Sequence, residues 1–210
     1  MTAPDHSPSA DRPAYGATTA LVVVDVQNDF ADPGGSLYVT GGETIVDLIN
    51  QHMAAARAAG ATVVLTQDWH PASTPHFRTS GGVWPVHCVR TTWGAALHPD
   101  LSTDADLVLR KGTGGEDGYS AFTVADPETG ATTPTGLAGY LRARGVDQVV
   151  VMGLASDVCV AATATDAAAS GFATTVVWDA TRPVAVEPDQ PARALRDLAA
   201  AGVAVIGDGR

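Results

Sequence analysis

Cys159 is one of two cysteines in the chain, and its surroundings could make it a nucleophile. It closes the run Val149-Val150-Val151-Met152-Gly153-Leu154-Ala155-Ser156-Asp157-Val158-Cys159. The β-branched opening predicts a buried parallel strand that breaks at Gly153. Ser156 or Asp157 can then cap an Ala-rich helix over 158–170. Cys159 would sit in its first turn, where unpaired N–H groups and the positive end of the helix dipole favour a thiolate. The competing reading is a small buried hydrophobe, the usual fate of a cysteine. A nucleophilic cysteine also needs a proton acceptor and fixed donors for an oxyanion. No histidine directly follows a strand end, so Asp25, just after the apolar run 20–24, is the natural acceptor. A carboxylate beside a thiol raises the thiol pKa, and Lys111 in Arg110-Lys111-Gly112 can offset that repulsion. Taken singly, Asp25 reads more readily as a helix-capping or loop aspartate and Lys111 as a solvated surface lysine.

A second cluster is Asp68-Trp69-His70-Pro71 followed by His76-Phe77. Asp68 and His70 alternate on an extended segment and can point the same way, while His76 can return through the turn from Pro71 to Pro75. Such N/O ligands suit one borderline divalent metal ion such as Zn, Fe or Mn. His87, in Trp84-Pro85-Val86-His87-Cys88, is a candidate fourth ligand. Loop packing without a metal explains any two of these residues, but explains all four less well. His6, His52 and His98 show no such pattern and read as surface residues.

Elements that could position these side chains alternate along the chain. Apolar strands are expected at 19–24, 61–66, 106–109, 149–153, 174–178 and 203–206, with helices at about 41–59, 137–144, 158–170 and 191–201. That order predicts an α/β fold, a three-layer α/β/α arrangement with a central, mostly parallel sheet. On this reading Asp25, Asp68, Lys111, Cys159 and Asp179 all follow strand ends and converge on one sheet edge, where ligands of such folds bind. The stretch 69–104 lacks periodicity and is dense in Trp, His, Pro and Gly, and a loop that long in a compact domain is usually functional. The polar start, 1–17, is expected to be a flexible tail preceding a single domain over 18–210.

Bulk properties exclude several functions. A formal charge of −11 with only 12 Lys and Arg argues against a nucleic-acid partner. No apolar stretch reaches the length of a membrane span, and the start has neither the basic nor the apolar segment of a signal peptide. Two cysteines are too few for a disulfide scaffold and fit a reducing, cytoplasmic setting. A homo-oligomer is compatible with the sequence but not required by it.

The motifs together resemble one family. Val24-Asp25-Val26-Gln27-Asn28-Asp29-Phe30, Asp68-Trp69-His70-Pro71 with His76-Phe77, Trp84-Pro85-Val86-His87-Cys88, Arg110-Lys111-Gly112, Tyr119-Ser120-Ala121-Phe122 and Gly153-Leu154-Ala155-Ser156-Asp157-Val158-Cys159-Val160 are similar to those of the nicotinamidases (pyrazinamidases) among the isochorismatase-like cysteine hydrolases. Leu154 and Ser156 stand where that family commonly has Ile and Thr.

The resemblance implies a catalytic triad of Asp25, Lys111 and Cys159, with metal ligands Asp68, His70, His76 and His87. It implies a non-proline cis peptide between Leu154 and Ala155, and an oxyanion hole from the N–H groups of Ala155 and Cys159. Phe30, Trp84, Tyr119 and Leu154 would bind the substrate by walling a pocket for a flat aromatic ring. The implied reaction is hydrolysis of nicotinamide to nicotinate and ammonia through a thioester. Competing functions are a related hydrolase for another small amide, a catalytically silent binding domain and redox sensing through Cys159.

Overall fold

β1 (Thr19–Val24) is buried at every position, as expected for a central strand covered on both faces. Its side chains alternate between two cores: Leu21 and Val23 enter one, Ala20, Val22 and Val24 the other. The computed structural model describes residues 12–207. After β1 come a single helical turn, α1 (Asn28–Ala31), and a short 3₁₀ turn (Gly42–Ile45) leading into α2 (Val46–Ala58). β2 (Thr62–Asp68) and β3 (Leu107–Lys111) follow, separated by the long loop. β4 (Thr123–Ala125) and β5 (Thr132–Pro134) pair as a small antiparallel hairpin. The chain then alternates through α3 (Leu137–Arg142), β6 (Gln148–Leu154), α4 (Cys159–Ala169), β7 (Ala173–Arg182), α5 (Gln190–Ala200) and β8 (Ala204–Ile206).

Six strands form one parallel sheet in the order β3-β2-β1-β6-β7-β8. α2 packs with the core that holds Ile49, Met53 and Leu65, and α3, α4 and α5 with the core that holds Leu141, Val160 and Leu198. The expected α/β layering is therefore present, with every sheet pairing parallel. From β1 the chain crosses first to β2 and β3 and later to β6 on the other side. The direction of winding reverses between β1 and β6, and a crevice opens beyond their carboxyl ends. Asp25 leaves one of these strands and Cys159 opens the helix after the other.

Several expectations need correction. β7 runs on past Trp178 to Arg182, so Asp179 lies within a strand, where its carboxylate sits beside Gly207. The hairpin β4–β5 was not foreseen; its strands are three residues each, too short to show alternation, and β5 falls within 126–135, which reads as loop. His52 and His98 are buried rather than on the surface. The Tyr15 hydroxyl lies 2.8 Å from His52 Nδ1, so part of the expected tail is packed down. Its first eleven residues, including His6, lie outside the described residues. Among the described residues no helix is long and apolar enough to cross a membrane.

Candidate active site

Lys111, the last residue of β3, has its ammonium fully buried at the centre of the crevice. Nζ lies 2.7 Å from Asp25 Oδ2 and 2.5 Å from Asp68 Oδ1. It also donates to the Gly118 carbonyl oxygen and lies 3.7 Å from Cys159 Sγ. Thr66 Oγ1 donates to Asp25 Oδ1 at 2.6 Å and accepts from the Asp25 N–H at 3.1 Å, fixing Asp25 at a positive φ of 49°. Ligand atoms of Asp25, Asp68 and Cys159 all lie within 4.8 Å of one another.

The electrostatics of this cluster differ from the sequence expectation in one respect. Burial, with Asp25 and Asp68 nearby, pushes the Cys159 thiol well above its ordinary value despite Lys111. Desolvation thus favours the thiol form of Cys159 and opposes the thiolate that a helix N-terminus favours. Burial also raises Asp25, opposed by Lys111, to about 6. Asp68 goes the other way: burial would raise it, but Lys111 and the neighbouring histidines hold it well below the usual carboxylate range. For Lys111, burial is outweighed by the two carboxylates, which keep it protonated far into the alkaline range. The resting cluster thus holds a carboxylate able to accept a proton, a thiol that carries one and a permanent cation.

Against Asp68 stands a trio of histidines. His70, His76 and His87 bring ring nitrogens within 4.8 Å of one another. Asp68 Oδ2 is 3.7 Å from His70 Nε2 and 3.9 Å from His87 Nε2. His76 Nδ1 donates to Asp117 Oδ1 at 2.6 Å, and His87 Nδ1 donates to the Pro85 carbonyl oxygen at 2.7 Å. Each of these bonds fixes the tautomer and leaves Nε2 with a free lone pair. Burial lowers the pKa of His76 and takes His87 down to about 4, so both rings are neutral at pH 7.

His70 is fully buried, and neither of its ring nitrogens meets a hydrogen-bond partner among the described residues. An imidazole buried in that state is costly, and coordination to a cation accounts for it. Three imidazoles and one carboxylate are a donor set for a borderline divalent ion. The residues fit a divalent metal ion. Gly112 makes room for it: at φ 63° it lies so close to His70 that an added Cβ would sit 2.5 Å from Cε1. Asp117 was missed by sequence reasoning. Its only signal is an acidic residue shortly after Lys111, in a stretch that also holds Glu116.

Between Cys159 and the Asp68, His76 and His87 side chains lies a small pocket. Phe30, Trp84 and Tyr119 line it as expected, and the Trp84 indole N–H donates to the Tyr119 hydroxyl at 2.9 Å. Leu154 does not line it; its side chain is wholly buried in the core, close to Gly42. Leu37, Val39, Val158 and Val184 complete the wall and were not foreseen, since nothing local marks an apolar residue as facing a cavity. The Leu154–Ala155 peptide bond is cis. Cys159 opens α4, so its N–H belongs to the first turn and has no partner within the helix.

Comparison with known proteins identifies the family. The Isochorismatase domain family model matches residues 19–208. This chain belongs to the isochorismatase family. It is 43% identical over 193 residues to the nicotinamidase/pyrazinamidase of Mycobacterium tuberculosis, covering 89% of this chain and 97% of that one. Among solved structures, PnC1 from L. infantum in complex with nicotinate superposes with a TM-score of 0.83 at 39% identity, covering 92% of this chain and 95% of that one. The pyrazinamidase of Pyrococcus horikoshii in complex with zinc gives a TM-score of 0.79 at 38% identity, covering 91% and 99%.

Proposed function

We propose that this chain hydrolyses nicotinamide to nicotinate and ammonia, with Cys159 as nucleophile, Asp25 as general base and acid, and Lys111 as the cation that balances them. The observation that carries the reading is the single pocket bounded by Cys159 on one side and by Asp68, His76 and His87 on the other. Such a pocket can grip a flat heteroaromatic ring while presenting its carboxamide to the sulfur.

In this mechanism Asp25 takes the thiol proton as Sγ attacks the carboxamide carbon. The oxyanion that forms is held by the N–H groups of Ala155 and Cys159. Asp25 returns its proton to the departing ammonia, leaving a thioester on Cys159. It then deprotonates the water that hydrolyses this ester, and the thiol is regenerated. Lys111 keeps Asp25 ionised in the resting state and offsets the negative charge as it passes to sulfur. Asp68, His70, His76 and His87 would hold the divalent ion, for which zinc is the first candidate. When bound, that ion supplies a coordination position for the pyridine nitrogen, so its contribution is to orient the ring. Phe30, Trp84 and Tyr119 exclude water around the ring. The two unpaired cysteines support a reducing, cytoplasmic setting.

The test is ammonia release from nicotinamide, pyrazinamide and simple aliphatic amides, measured beside metal content. Rapid turnover of the first two with one bound ion per chain is expected. Equal or better turnover of a ringless amide, or full activity in His70→Ala without bound metal, would overturn the substrate assignment.

A further inference from the structure

Asp157 stands two residues before the nucleophile, yet its carboxylate turns away from the reaction centre. Oδ1 accepts the N–H of Val184 at 2.9 Å and Oδ2 accepts the N–H of Ala185 at 2.8 Å. Beside it the Ser156 N–H donates to the Arg182 carbonyl oxygen at 2.9 Å. The nucleophile segment and the chain leaving β7 are therefore strapped side by side. Beyond the strap residues 185–189 are exposed, with Val186 at 61%, so apolar burial does little to hold this stretch. Ala185 is a non-glycine residue at a φ of 49°, a conformation that needs local support. A carboxylate that accepts two adjacent backbone N–H groups gives that support through charge-assisted bonds. Val184 is the residue of the strap whose side chain reaches the pocket, alongside Val158 and Cys159.

We propose that Asp157 is a positioning residue that sets ring selectivity by holding Val184 as a fixed wall of the pocket. This rests on the pocket taking a flat ring, as in the proposed function. Asp157→Asn keeps the shape and one acceptor but turns an amide NH₂ towards one of the two donors. The strap then loosens, and Val184 no longer closes the wall.

The experiment compares Asp157→Asn, Val184→Ala and the double variant with wild type, all metal-loaded. With nicotinamide, KM is expected to rise about tenfold in both single variants while kcat changes by less than about threefold, the pattern of lost ring binding with intact chemistry. The preference for nicotinamide over its 4-, 5- and 6-methyl derivatives should fall in the same order for both. The double variant should be no worse than Val184→Ala alone, because the two residues act through one contact. A readout independent of nicotinamide is alkylation of Cys159, followed by peptide mass spectrometry, with iodoacetamide and with the ring-bearing 2-iodo-N-phenylacetamide. The ratio of ring-bearing to ringless rates should rise at least about threefold in both single variants.

Additive effects in the double variant, or a loss confined to kcat, would overturn the proposal. So would an unchanged ring preference and alkylation ratio in Val184→Ala, a result that stands even if Asp157→Asn does not fold. If wild type leaves nicotinamide intact, the proposed function fails, while the alkylation ratio still decides the role of Asp157.

Discussion

Replacing Lys111 by Met removes the one charge that both carboxylates of the cluster share, and the consequence can be worked from the distances. Asp25 Oδ2 is 2.7 Å from Nζ, with both side chains fully buried. At that separation two unit charges attract by about 1.5 kcal/mol in water and about 6 kcal/mol at an effective dielectric constant of about 20. At about 1.4 kcal/mol per pH unit, losing the ammonium moves Asp25 upward by between about one and about four units. Burial and the charge of Asp68 already push in that direction, and nothing else in the cluster opposes them as strongly as Lys111. The sign for activity follows. Asp25 must be ionised to accept the thiol proton, so the wild-type kcat/KM is expected to fall as pH drops through about 6. Lys111 itself stays protonated across the assay range and adds no limb. In Lys111→Met the acid limb should move to pH 7 or above, with about a tenfold or greater loss at pH 6 that raising the pH partly restores. The assay is ammonia release from nicotinamide between pH 5 and 9, with metal content checked because Asp68 also loses its partner at 2.5 Å. An acid limb that stays near pH 6 in a folded, metal-loaded Lys111→Met protein would refute this account of Asp25.

Further outcomes follow from other parts of the site. Cys159→Ala should lower turnover on the order of a millionfold while leaving metal content and melting temperature near wild type; burst-free residual activity above that level would argue against a thioester. Asp117→Ala should weaken metal binding by about 10- to 100-fold in a competition titration against a chromogenic chelator, because His76 loses the partner that fixes its tautomer. Gly112→Ala places a methyl group 2.5 Å from His70 Cε1 at a φ of 63°, so metal occupancy and melting temperature should both fall, the latter by several degrees. Unchanged values in that variant would mean that His70 has room to move and is not held for a ligand.

Much of the site was legible because its residues sit where strands end. Asp68 and Lys111 are the last residues of adjacent parallel strands paired in register, so a strand assignment alone brings their side chains together. The histidines were legible for a different reason: three of them in one aperiodic loop, directly after Asp68 at the end of β2, are hard to explain by packing. What escaped was whatever depends on the third dimension. Leu154 belongs to the motif that carries the resemblance, but its side chain turns into the core on the same face of β6 as Val150 and Met152. Val184 escaped because its place on the wall comes from the Asp157 strap, a contact 27 residues apart in sequence. The upward push that burial gives the Cys159 thiol was not legible either, because a helix N-terminus is visible in a sequence, whereas full desolvation of a sulfur is not.

The long loop that carries the histidines raises the question of what orders it, since it has no apolar face of its own. The answer lies in the polar residues after β1. The Gln27 side-chain amide donates to the carbonyl oxygens of Asp68 and Ala95 and accepts the Asp68 N–H, joining the end of β2 to the far arm of the loop. Asn28 Nδ2 donates to the Trp93 carbonyl oxygen, and Asp29 Oδ2 accepts the Cys88 N–H at 2.7 Å. Gly94 is packed so tightly against Asp29 that a Cβ there would meet its carboxylate at 2.1 Å. All three side chains are buried, where an unmet donor or acceptor would cost about 1–3 kcal/mol. Each therefore specifies one position of the loop rather than merely tolerating it. Cys88 adjoins His87, so the Asp29 bond also sets where that ligand points. The motif that begins with the proposed base thus continues as the clamp for the histidine-bearing loop, and the distance between the thiol and the histidines is controlled from one short stretch of chain.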